Sequence, residues 1–125
     1  MRCLGVRGAT SVTDNTRESI IAATREVLEE IVAKNDLSID DVASVIFTAT
    51  SDLDAAHPAN AARELGWINT PLLCMQEMFV VGGLPRCVRV LILWNSERQA
   101  DQVHHVYLGE ARSLRPDLLK GENDD

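Results

Sequence analysis

Apolar residues recur at helical spacing after residue 15: Ile20, Ile21, Thr24, Val27, Leu28, Ile31 and Val32 fall on one stripe, with charged residues between them. Asn15 is placed to cap the free amides at the start of that helix, and Glu18, three residues on, to complete a capping box. Asn35 reads as its C-terminal stop. Elsewhere the period changes. Leu4-Gly5-Val6-Arg7-Gly8-Ala9-Thr10 reads as a glycine-interrupted strand, and Val42 to Thr50, β-branched and apolar on both alternating faces, as a central strand after a short turn at Ser38-Ile39-Asp40-Asp41. Pro58 at a first helical position and Gly66 past the end frame a short helix over 59–65, entered from His57. Pro71 to Cys74 is a brief extended piece, and Gly82-Gly83-Leu84-Pro85 is a loop. Cys87-Val88-Arg89-Val90-Leu91-Ile92-Leu93-Trp94 is a strand apolar on both faces except at Arg89, His105 to Leu108 is a last strand, and Pro116 stops regular structure beyond Arg115.

The order is thus strand, helix, strand, helix, strands. A long helix and a short one cannot cover both faces of a sheet whose strands are apolar on both faces, so further copies of the chain are expected to cover the remainder.

Composition adds exclusions. At 125 residues the chain is expected to form one domain. The first residues carry no uncharged apolar stretch of signal-peptide length, and no segment approaches the roughly 18 apolar residues of a membrane span, so a soluble, cytoplasmic protein is expected. The three cysteines, Cys3, Cys74 and Cys87, form no CxxC pair and are expected to be reduced. A net charge of −7 disfavours nucleic acid and anionic membrane as partners. Much of the excess acid lies in Asp36 to Asp41 and in the Glu122-Asn123-Asp124-Asp125 tail, which is expected to be a disordered end.

Against that acidic background four arginines stand out. Arg7, Arg63, Arg89 and Arg115 sit where a solvated face is a poor explanation, whereas Arg17, Arg25 and Arg98 lie on ordinary polar surface. A guanidinium in an apolar strand needs an anion, because it does not lose its proton and its burial costs several kcal/mol unless paired. One solution is internal, with Arg7 and Arg89 paired to glutamates such as Glu77 or snorkelling to water. The other is that the arginines converge on a ligand with more than one carboxylate or phosphate, which suits their bidentate forks. Glu77, a lone acid in Cys74-Met75-Gln76-Glu77-Met78-Phe79, is either the partner of a buried arginine or a site carboxylate. The sequence has no GxxxxGK phosphate loop, and adjacent His104 and His105 point to opposite faces of a strand, so neither a nucleotide nor a metal is expected. Cys74 has no activating histidine nearby in sequence. Met75, Met78, Phe79 and Val80 suit core or subunit-interface packing, and the hydroxyl of Tyr107, the one tyrosine, needs a partner if buried.

Val6-Arg7-Gly8-Ala9-Thr10, Cys74-Met75-Gln76-Glu77-Met78, Gly82-Gly83-Leu84 with Cys87-Val88-Arg89-Val90, His105-Val106-Tyr107-Leu108 and Leu114-Arg115-Pro116-Asp117-Leu118 occur in that order. In this the chain resembles the AroH class of chorismate mutases over essentially residues 2 to 118. The resemblance implies an α+β domain over 1–118, with a mixed β-sheet and one long and one short helix on its outer face. It also implies a homotrimer with a β-barrel-like core and sites between subunits, no cofactor, and residues 119–125 as a tail. It further implies conversion of chorismate to prephenate by a Claisen rearrangement, a branch step toward phenylalanine and tyrosine. By that resemblance Arg89 donates to the breaking ether oxygen and to a substrate carboxylate, Arg7 and Tyr107 hold the side-chain carboxylate, and Glu77 accepts from the ring hydroxyl. Arg63 and Arg115 are the entrance and closing cations, and His57, Ala59, Leu73, Cys74 and Leu114 line the site. Position 57 is often phenylalanine in relatives; His57 either packs its ring on the ligand or adds a pH-dependent cation. Two rival readings of an arginine cleft are a non-catalytic sensor or carrier of an anionic metabolite, against which Glu77 beside Arg89 counts, and an imine deaminase on a similar trimeric fold, whose characteristic segments are not evident.

Overall fold

The computed structural model describes residues 1–114. Arg115, Pro116 and the acidic tail lie outside the described residues, and so do the expectations placed on them.

Five strands and two α-helices alternate along the chain as β1 (Arg2–Ser11), α1 (Arg17–Asn35), β2 (Val42–Ala49), α2 (Ala59–Glu64), β3 (Leu72–Gln76), β4 (Cys87–Ser96) and β5 (Val106–Leu108). Short 3-10 turns at Ile39–Asp41, Ala100–Gln102 and Gly109–Ser113 join or follow them; only the first is signalled by the sequence pattern. The strands form one mixed sheet in the order β3-β2-β4-β1-β5. β4 runs antiparallel to both β1 and β2, while β5 adds parallel to β1 and β3 parallel to β2.

Both helices lie on one face of this sheet. Ile21, Val27, Leu28 and Ile31 of α1 and Ala61 and Ala62 of α2 meet Val6, Val45, Phe47, Val90, Ile92 and Trp94 in the main core. The predicted stripe is therefore the buried face, with Val32 half-covered at its edge. Gly8 is where α1 comes closest: a β-carbon there would stand 2.7 Å from Ile31 Cδ1 and 2.8 Å from Val90 Cγ1.

The caps differ from expectation. Thr16, not Asn15, caps α1 by accepting from the Ser19 N–H at 3.1 Å. Asn15 instead ties the helix start to the loop before α2, with its amide donating to Asp54 at 2.7 Å and its oxygen accepting from the Asp54 and Ala55 N–H groups. At the other end Asp36 adopts the left-handed conformation (φ 49°) that stops the helix. Asn35 is fully buried and is a clasp rather than a stop: its amide donates to the Ile31 and His104 carbonyls, and its oxygen accepts from the His104 N–H. That clasp fixes the chain just ahead of β5.

The opposite face of the sheet is open among the described residues. Strands β2 and β4 thus alternate instead of being buried on both faces: Val88, Val90, Ile92 and Trp94 are covered by helices, whereas Leu91 and Leu93 are half-buried and Arg89 is exposed. On the edge strand β3, Leu73 and Met75 are exposed, and the loop that follows exposes Met78, Phe79, Val80 and Val81. Of the two roles expected for Met78, Phe79 and Val80, core packing or a subunit interface, the first is not met among the described residues, because neither α1 nor α2 reaches that side.

Candidate active site

Strand register assembles the site on the open face. Tyr107 pairs with Ala9, Ala9 with Arg89, Arg89 with Thr48, and Thr48 with Met75, a single row of side chains across all five strands. Arg7 stands two residues from Ala9 and so projects from the same face, opposite Leu91. Arg7, Thr48, Met75, Glu77, Arg89, Leu91 and Tyr107 accordingly line one cavity of about 370 Å³, within the range of small-ligand sites. Residues up to 100 positions apart meet there because β5 pairs with β1 on one side and β4 lies between β1 and β2 on the other.

Each polar member is held from the backbone up. The Glu77 N–H donates to the Ala49 carbonyl at 2.9 Å, which extends the β2–β3 ladder one residue and fixes where the side chain departs. Its Oε1 then accepts from the Thr48 hydroxyl at 2.5 Å and lies 3.4 Å from Arg89 Nε. The internal pairing of Arg89 with Glu77 therefore exists. It is an ion pair, not an aligned hydrogen bond, and Arg89 remains 45% exposed against 23% for Glu77. A pair this wet is worth only about 0–1 kcal/mol, and a guanidinium has five N–H donors, so one contact does not exhaust it. The Arg7 N–H donates to His105 Nδ1 at 2.9 Å, which holds the approach to β5 against β1. Tyr107 is buried and packs with Ala9 and Ala111, with Leu84 and Leu114 against them.

Neither Arg7 nor Arg89 is buried, contrary to the expectation from their apolar flanks. The flanks belong to the helix-covered face and the arginines to the open one.

The other sequence candidates divide between places. His57 and Cys74 line a second cavity of about 530 Å³ with Asp54 and Gln76, which meets the first at Met75. Arg63 is exposed on α2 and donates to Asn60 Oδ1 at 2.7 Å, Ala59 is buried in the main core, and Leu73 is exposed on β3. Within one chain Arg63, His57 and Ala59 do not line the cavity of Arg7 and Arg89. A third cavity, about 450 Å³, adjoins the first across the Arg89–Glu77 pair and is lined by Thr50, Asp52, Phe79, Val80, Leu84 and Cys87. Cys87 is a buried, packed thiol, and burial pushes its pKa up, with Arg89 opposing the shift. No group of three His, Cys, Asp or Glu side chains suited to a metal occurs among the described residues. Thr48, Thr50 and Asp52 were not legible as site residues; the only signal is that Thr48 and Thr50 share alternation with Ile46.

Fold and cavity together define a mixed-sheet α+β protein that brings two guanidinium groups, a carboxylate and a phenol to the lining of one cavity. A family model described as chorismate mutase type I matches residues 3–118. The chain is 50% identical over 115 residues to the chorismate mutase AroH of Thermus thermophilus, covering 91% of this chain and 94% of that protein. It is 44% identical over 126 residues to the chorismate mutase AroH of Bacillus subtilis (strain 168), covering 100% and 99%. A solved chorismate mutase from Clostridium thermocellum superposes with a TM-score of 0.86 at 48% identity, covering 87% of this chain and 97% of that one. The chain belongs to the AroH-class, type I chorismate mutases.

Proposed function

We propose that this chain is an isomerase that converts chorismate to prephenate in aromatic amino acid biosynthesis, and that the reaction takes place on the open sheet face. The observation that carries the reading is the single row Tyr107–Ala9–Arg89–Thr48, with Arg7 and Glu77 beside it, in a chain of this family.

Chorismate is a dianion with two carboxylates and an ether oxygen that gains negative charge as its bond to the ring breaks. The shift is intramolecular and pericyclic, so it needs no proton transfer and no covalent intermediate. Binding the flexible enolpyruvyl group over the ring selects the compact conformer. Arg89 is assigned to the ether oxygen and one carboxylate, where its charge meets more negative charge in the transition state than in the substrate. Arg7 and Tyr107 are assigned to the side-chain carboxylate. Glu77, oriented by Thr48, is assigned to the ring hydroxyl and to the carbon framework that becomes positive. A −7 chain can still hold a dianion, because the potential in a cleft is set by charges within about 10 Å.

The assembly that fits is a homotrimer with a barrel-like core built from the open sheet faces and with each site at a subunit boundary. Its support is the half-buried to exposed apolar side chains Ile46, Leu73, Met75, Leu91 and Leu93 on that face, together with the separation of His57 and Arg63 from Arg7 and Arg89 in one chain. A neighbour's His57, Arg63, Leu73 and Cys74 then complete the lining beside Leu114, whereas Ala59 stays buried in its own chain's core and Arg115 lies outside the described residues. No helix of the described residues is long and apolar enough to cross a membrane; a cytoplasmic location belongs to this proposal.

Purified protein treated with a chelator and given chorismate alone tests the reading: prephenate is expected to accumulate at an undiminished rate, and absence of turnover would overturn it.

A further inference from the structure

Asp52 is an anion in the cavity that adjoins the one assigned to a dianion, where its charge opposes binding. Its oxygens are committed to the protein. Oδ1 accepts from the Thr50 hydroxyl at 2.5 Å and from the Arg86 N–H at 3.2 Å, and Oδ2 accepts from the same N–H at 3.0 Å. Thr50 works in both directions: its hydroxyl accepts from the Cys87 N–H at 3.0 Å, and its own N–H donates to the Cys87 carbonyl at 3.1 Å. Arg86 is held in the left-handed region (φ 45°), a conformation unfavourable for a residue with a β-carbon, and it reaches Val12 twice, through Nε to the Val12 carbonyl and through its own carbonyl to the Val12 N–H. Three strand ends, those of β1, β2 and β4, are therefore clamped at residues 86 and 87, immediately before Arg89.

We propose that Asp52 is a positioning residue for the reaction, which with Thr50 fixes the turn at Arg86–Cys87 and thereby the start of β4 and the place of the Arg89 guanidinium. Arg89 lies on the same face as Cys87, two residues along, so any swing of the turn is passed directly to its side chain. The clamp stands on the side of Arg89 away from Arg7, in the cavity that Thr50, Asp52 and Cys87 share with Glu77 and Arg89. It does not touch the ligand; it removes freedom from the donor that must meet the transition state, where a displacement of about 1 Å can cost about a hundredfold in rate.

The inference rests on the proposed rearrangement chemistry, and three readouts separate the two. In the parent enzyme, Asp52→Ala is expected to lower kcat by about 10- to 100-fold with a smaller change in KM, while Asp52→Asn, which keeps an oxygen for the Arg86 N–H, recovers most of the loss. In an Arg89→Lys background the Asp52→Ala cost is expected to shrink to within about twofold, because the group being positioned is gone. Thr50→Val, which removes the hydroxyl at nearly constant volume, is expected to repeat the kcat loss and decides the matter if Asp52→Ala does not fold. Amide exchange at Arg86 and Cys87, read without substrate, is expected to quicken in every clamp variant. A folded Asp52→Ala or Thr50→Val enzyme with kcat within about twofold of the parent, or a loss fully additive with Arg89→Lys, overturns the proposal. If the parent does not turn over chorismate the functional reading falls, and unchanged exchange at Arg86 and Cys87 then overturns the clamp by itself.

Discussion

Arg89→Lys separates charge from geometry. The substitution keeps a cation near Glu77 Oε1, now 3.4 Å from Nε, and so preserves the ion pair in kind. It removes the planar fork, which alone can offer parallel donors to an ether oxygen and a carboxylate at once. Because Arg89 is 45% exposed and its pairing is wet, the loss should cost almost no stability, about 0–1 kcal/mol. Loss of a preorganised donor to developing negative charge typically costs about 2.7–4 kcal/mol, which at about 1.36 kcal/mol per tenfold is a fall in kcat of about 100- to 1,000-fold. Initial rates of chorismate loss over a range of substrate concentrations, with a thermal melt on the same sample, give both numbers. A kcat within about threefold of the parent would remove Arg89 from its assigned role, and a rate loss accompanied by a large drop in Tm would attribute the effect to folding.

Gly8→Ala is expected to destabilise by about 1–3 kcal/mol, since the added methyl meets the stiff Val90 side chain at 2.8 Å; a thermal or urea midpoint equal to the parent's would refute the tight helix–sheet approach. The Thr50 hydroxyl, first among the causes, lowers the Asp52 pKa, and the Ser19 hydroxyl does the same for Asp14. With folded values below unfolded ones, their stabilisation is complete above about pH 4 and is lost as pH falls through the lower folded values, so the Tm gap between parent and Asp52→Asn should narrow below about pH 4, and parallel acid limbs would contradict this. Because no proton moves, kcat is expected to be nearly flat around neutral pH, and a steep bell would restore acid–base chemistry. Inactive Arg63→Ala and Arg89→Lys chains, unfolded together and refolded as mixed rings, should regain about a quarter of the parent sites if each site spans two subunits, whereas no recovery would place both residues in one chain's site.

The elements were legible because each carries its own period: the α1 stripe, the Pro58 and Gly66 frame of α2, and the β-branched run of β2 all specify local structure. Arg7, Glu77, Arg89 and Tyr107 were legible as a group only through the family's words, since spacing cannot reveal that β4 sits between β1 and β2. The burial of Arg7 and Arg89 was misread for a related reason. An apolar run such as Cys87 to Trp94 looks covered on both faces, but among the described residues only one face is covered. The cap at Thr16, the Asn35 clasp and the Asp52 clamp stayed hidden because each depends on which of several Ser, Thr, Asn or Asp side chains a tertiary contact selects.

The most direct test of where the chemistry occurs is a crystal structure with prephenate bound, which retains both carboxylates of the substrate. The account predicts one carboxylate on Arg7 and Tyr107, the other on Arg89, and the ring hydroxyl on Glu77. A product held elsewhere, for example against Phe79 and Val80 in the neighbouring cavity with Arg7 and Arg89 uncontacted, would contradict it.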